Sequence, residues 1–213
     1  MKKQLMTLTL GLALLAMIGC GGPGKSSLDS KVDLHILENQ EEVKKIYDEI
    51  VVHLGKQASG VDEIDILITN PDEAMVKRAD DVVELSLRLD MMHPEISKKL
   101  QRTCYWSKYG GWQNPETMEV ELSSTSSAAE KENFRLEDHL WSFTDNVKYE
   151  IFSKVLADAF ATKDTPDKFS YRYIQGVNID SEGYSVSINA KLASNDQKVN
   201  EYYDYDFNGN LLK

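Results

Sequence analysis

"MIGCGGPGKSS" (residues 17–27) admits two readings, and they lead to different folds. Gly19, Gly24, Lys25 and Ser26 satisfy G-x-x-x-x-G-K-[ST], the phosphate-binding loop whose backbone amides cradle a nucleotide at a helix N-terminus. Such a loop belongs to a parallel sheet of alternating strands and helices. In the other reading Gly19 closes an apolar leader as a small-residue cleavage site, and the fold is then set by the chain downstream.

The flanks decide between them. Lys2 and Lys3 precede residues 5–18, a run with no Asp, Glu, Lys or Arg. That is a basic n-region followed by an apolar h-region. A phosphate loop follows a strand of about 5–6 residues, and this run is more than twice as long. A transmembrane helix needs about 20 apolar residues, and for that it is too short. Downstream, "IDILITN" (residues 64–70) ends in Asn where a nucleotide site needs a magnesium-holding acid. The later strands also follow one another without intervening helices, which favours antiparallel hairpins. The phosphate-loop reading is set aside.

Residues 17–20 resemble the lipobox of bacterial lipoproteins, in which a small residue precedes the modified Cys. Met17 stands where that pattern usually has Leu. The resemblance covers the first 20 residues only. It implies cleavage before Cys20, palmitate-type acyl chains on that residue, and attachment of the chain to a membrane of the bacterial cell envelope. Several chains hold stably where one is marginal, each buried methylene contributing about 0.8 kcal/mol. Gly21 is not the Asp that in some bacteria causes inner-membrane retention, which favours the outer membrane. Residues 1–19 then form the signal peptide, and residues 20–31, rich in Gly and Ser, the lipidated Cys and a flexible tether.

The 213 residues are 41% hydrophobic and 28% charged, with a formal net charge of −11. This is enough apolar material for a core. The excess of 35 Asp and Glu over 24 Lys and Arg speaks against nucleic acid as a partner, because phosphate binding is driven by basic side chains. Loss of the leader removes two lysines and no acid, so the folded part should stand off from anionic lipid. With Cys20 acylated, Cys104 has no partner for an internal disulfide and reads as a small buried hydrophobe.

Residues 39–55 place Val43, Ile46, Tyr47, Ile50, Val51 and Leu54 on one helical stripe, with Asn39 as N-cap, Glu42 as capping-box acid and Gly55 as the stop. Ile64, Ile66 and Ile68, and then Val83, Leu85, Leu87, Leu89 and Met91, alternate with polar neighbours as half-buried strands do. Strands are also expected over 103–109 and 117–122, joined at Gly110 and Gly111. After a polar stretch the order repeats, with a helix over 145–161 and strands over 169–177, 184–192 and 199–207.

The expected fold class is therefore α+β, a tandem repeat of one helix packed on a three- to four-stranded antiparallel sheet, with the first repeat over 32–122, a linker over 123–133 and the second repeat over 134–213. In element order it is similar to tandem β-lactamase-inhibitor and PepSY-like proteins, whose two repeats form a joint concave sheet surface. A cystatin-like or nuclear-transport-factor-like unit has the same order. No motif carries functional residues across.

"DYDFNGN" (residues 204–210) matches the first half of a calcium loop, but the acid that would complete the ligand set has no counterpart and a strand precedes it, so an Asn-Gly turn explains it. His35, His53, His93 and His139 lack metal-ligand spacing, and no G-x-S-x-G elbow surrounds any serine. No catalytic, cofactor or metal residue is assigned. Tyr171, Tyr173, Tyr203, Tyr205 and Phe207 should share one face of the second sheet and Tyr202, Asp204 and Asp206 the other. Trp106, Trp112, Tyr202, Asp204 and Asp206 make the candidate partner surface, because Tyr and Trp are enriched where binding energy concentrates; Trp141 is a further candidate for it. The expected function is that of a membrane-anchored lipoprotein acting as a binding module, without a cofactor, for an unknown protein or small ligand. The alternative is an envelope hydrolase with an unrecognised cleft.

Overall fold

The computed structural model describes residues 26–73, 81–96, 98–120, 133–161 and 168–212. The signal peptide, Cys20 and most of the tether and linker lie outside these. Two helices, α1 (Gln40–Leu54) and α2 (Tyr149–Ala161), cover one face of an eight-stranded antiparallel sheet. None of the described helices is long and apolar enough to cross a membrane.

The strands are β1 (Val61–Thr69), β2 (Glu84–Met92), β3 (Lys99–Trp106), β4 (Gly111–Trp112), β5 (Glu116–Glu119), β6 (Phe169–Asp180), β7 (Gly183–Leu192) and β8 (Lys198–Tyr205). Their order across the sheet is β4-β3-β2-β1-β6-β7-β8, with β5 also pairing β3. Two hairpin meanders thus meet where β1 pairs β6, and they form one sheet in place of separate sheets of three to four strands. The reason lies in the sequence: Ile64 and Ile66 meet Ile179 and Val177 at the seam, so leaving either edge open would expose apolar residues and unpaired amides.

Local chemistry explains both helices. The Asn39 side chain accepts the amides of Glu41 and Glu42, capping α1 as expected. Val43, Ile46, Ile50 and Leu54 pack down onto the sheet. The second helix starts later than its apolar spacing suggests, because Val147 is extended and buried between a single helical turn, Phe143–Asn146, and α2. A turn at Ser107–Tyr109, closed by Gly110 at φ 67°, links β3 to β4.

One irregularity overturns the expected sharing of faces. The register of β6 against β7 shifts between Ile174 and Gly176, with Gln175 as the extra residue of a bulge. Alternation inverts there. Tyr203 and Tyr205 stay under the helices, whereas Tyr173 pairs with Asn189 and Tyr171 with Lys191 on the opposite, outer face. That part of the outer face is roofed by the turn Pro71–Glu73. Tyr173 donates to Glu73 Oε1 at 2.8 Å and Asn189 to Oε2 at 3.0 Å, leaving Tyr173 fully buried. The same inversion sends Arg172 inward, where it donates to the carbonyls of Ala159 and Phe160 at the end of α2 and pairs with Glu201 at 3.1 Å.

Candidate binding face

The outer face is built by register. Opposed residues of neighbouring strands share a face, so the pairings place Trp106, Ser86, Leu67, Gly176, Ser187 and Tyr202 in one row running across β3, β2, β1, β6, β7 and β8. At about 4.8 Å per strand the row spans about 24 Å. Its large members stand in solvent: Trp106 is 37% exposed, Leu67 43% and Tyr202 67%. Between them lie Ser86, Ser187 and Gly176, so the row alternates bulk with shallow ground. A Cβ at Gly176 would sit 2.9 Å from the Ile66 carbonyl oxygen, which keeps that position bare.

The adjacent row holds Cys104, Arg88, Asp65, Asn178, Ser185 and Asp204. The charges at its centre pair with one another. Arg88 pairs with Glu63 and Asp65, and Asn178 donates to the same two carboxylates at 2.6 and 2.7 Å. Arg102 forks onto buried Asp90 at 2.8 and 2.7 Å, which raises its pKa further above the ordinary arginine value. At the β8 end Ser185 donates to Asp204 at 2.6 Å. There Asp180, Glu182, Ser185, Asp204 and Leu212 line a hollow of about 210 Å³.

Of the residues expected on a partner surface, Trp106, Tyr202 and Asp204 lie on this face, Trp106 at one end and Tyr202 and Asp204 at the other. Trp112 does not: it is 2% exposed, stacks on His53 at 3.9 Å and donates to Glu49 Oε1 at 2.8 Å. Trp141 is likewise buried, donating to the Asp62 carbonyl. Asp206 lies beyond β8 in a turn, where it accepts the amides of Asn208 and Asn210 and the Asn210 side chain, bonds that hold its carboxyl below the usual range. Its oxygens serve the turn. Cys20 lies outside the described residues. Leu67, Gly176, Ser187 and the Asp180–Glu182 end were missed, although Leu67 is visible in the sequence as an apolar residue out of phase with Ile64, Ile66 and Ile68.

A second cluster lies on the helix side, around Glu49, which is 5% exposed. Its Oε2 accepts the Ser27 hydroxyl at 2.6 Å and the Ser27 amide at 3.2 Å. Next to Ser27, Leu28 is in the core, so the expected tether is pinned to the body at these two residues, while residues 29–31 are exposed. Burial alone would raise the Glu49 carboxyl, but the donors Ser27 and Trp112 outweigh it and the pKa is lowered. Burial lowers His53, keeping its imidazole neutral, and its Nδ1 faces the Glu49 carbonyl at 3.1 Å. Serine, histidine and glutamate are all present. However, the serine proton is directed at the carboxylate, so the cluster lacks the serine-to-base contact of a nucleophile.

No protein-family model matches the chain, and neither does any curated protein or solved structure.

Proposed function

We propose that this chain is a lipid-anchored protein of the bacterial cell envelope that acts by binding, holding a protein partner on the outer face of its sheet. The observation that carries this reading is the exposed row Trp106–Leu67–Tyr202, since Trp and Tyr standing in solvent on one sheet face are side chains in which binding energy concentrates. The lipobox-like residues 17–20 support the anchor on Cys20, and Gly21 favours the outer membrane. We further infer that the two halves are copies of one unit. Each runs from a helix into a three-strand meander, and the two meanders meet first strand to first strand.

The anchor is tested by labelling the full chain with palmitate in a bacterial host. Label on wild type that is lost in Cys20→Ala is expected; an intact leader and bare Cys20 in mass spectrometry would overturn it. The face is tested by placing a photo-crosslinking residue at Trp106 or Tyr202, with Val52 on the helix side as control. Adducts from the first two and not from Val52 are expected. Turnover of ester, peptide or glycoside substrates that a single substitution abolishes would replace binding with catalysis.

A further inference from the structure

The outer face differs in charge along its length. Around β1, β2 and β3 its carboxylates are matched by Arg88 and Arg102. At the other end, Asp180, Glu182 and Asp204 line the hollow, Tyr202 stands two positions along β8 from Asp204, and none of the ion pairs among the described residues involves the three acids. Tyr202 and Asp204 are two positions apart on β8, on the same face, with their Cα atoms about 7 Å apart. A π face beside unpaired acids is suited to a cation, which is drawn to the ring and to the carboxylates at once. Leu67 lies three strands away, about 14 Å, and Trp106 two strands further, so the large members of the rest of the row are apolar and carry no charge.

Resting on the reading of this face as the partner surface, we propose that its occupant is a basic protein segment crossing the strands. A Lys or Arg of that segment passes over Tyr202 with its charge in the Asp180–Glu182–Asp204 hollow, and an apolar side chain covers Leu67 and Trp106. In an extended segment the 14 Å between the two contacts corresponds to about four residues. Charge complementarity selects this occupant. An anionic membrane or a nucleic acid would be repelled by the same carboxylates, and a second copy of the face would set acid against acid. A free small cation would leave most of the 24 Å row uncovered.

The test uses the purified full chain and dye-labelled pools of synthetic peptides. Each pool has an aromatic or Leu residue four positions after a fixed Arg, Gln or Glu, the other positions being randomised among Ala, Ser and Gly. The Arg pool is expected to bind at least about tenfold tighter than the Gln pool, with affinity falling as salt rises. D180N and D204N keep the local hydrogen bonds, and each should weaken the Arg pool several-fold while leaving the Gln pool unchanged. W106A and Y202A should weaken every pool. Equal binding of the Gln or Glu pool, still lost in W106A, would overturn the basic partner and leave the docking face standing. Binding indifferent to Trp106, Leu67 and Tyr202, or no binding of any pool, would overturn both.

Discussion

Glu49 shows how one side chain ties together segments that sequence alone leaves apart. It is buried without a lysine or arginine beside it among the described residues, and its charge is held by the Ser27 and Trp112 donors. Replacing it by Gln turns one acceptor oxygen into a donor facing a donor, so Glu49→Gln should cost about 1–3 kcal/mol and lower the melting temperature. The pH dependence follows from the lowered pKa. A carboxyl depressed on folding stabilises the native state above its unfolded value of about 4.5, and the contribution fades as pH falls through the folded value. Melting curves of wild type and Glu49→Gln should therefore differ most near neutrality and converge in acid; a constant gap would refute the charged state assigned to Glu49. Cys104 poses the opposite case. Burial pushes its thiol up, which leaves less thiolate, so its reaction with Ellman's reagent at mild alkaline pH should be several-fold slower in the native chain than in denaturant. Equal rates would show that the thiol is open.

A whole element can be redirected by one inserted residue, and β6 is the case in point. Gln175 reverses the faces of Tyr171 to Ile174, up to a second register shift between Phe169 and Tyr171, sending Arg172 to the end of α2 and Tyr173 to Glu73. Arg172→Met would remove the cap on the last helical carbonyls and take the guanidinium away from Glu201 at a half-closed position. A loss of about 3 kcal/mol in denaturant midpoint analysis is expected. A cost within experimental scatter would mean that α2 holds its end without the guanidinium. The same strand marks the limit of reading by period. The first helix was legible because Asn39, a regular apolar stripe and Gly55 are all local signals, and the same holds for the alternation in β1, β2 and β7. A two-residue period contains no term for a bulge, so it puts Tyr171 and Tyr173 on the face of Tyr203 and Tyr205, whereas they lie on the other. The burial of Trp112 escapes a local reading for a different reason: what packs on it, His53 and Glu49, is remote in sequence. The candidate face was legible at Trp106, Tyr202 and Asp204, whose phases survive because no register shift intervenes in β3 or β8.

At the scale of the molecule the seam decides how the chain unfolds. Besides the β1–β6 ladder, Tyr47 of α1 donates to the Val147 carbonyl at 3.2 Å, Tyr149 of α2 donates to the Gln40 carbonyl at 3.1 Å, and the Ile174 amide donates to Glu38 at 3.2 Å. Residues of both halves belong to a single apolar cluster, in which Phe152 and Tyr184 stack at 6.1 Å while Tyr47 reaches Phe143 and Phe152. Neither half can bury its share alone, because separation would uncover Ile64, Ile66, Val177 and Ile179 along two raw strand edges. The full chain should accordingly melt in one transition, with circular dichroism and tryptophan fluorescence coinciding. Ile66→Asp, a charge placed at the seam with no partner there, should lower the stability of both halves together, by about 3 kcal/mol or more. Residues 134–213 expressed alone should give no cooperative melt. If that fragment instead showed a sharp transition of its own, or if the Ile66→Asp chain lost its first half while β6, β7 and β8 stayed protected from hydrogen exchange, the continuous sheet would be two domains in contact.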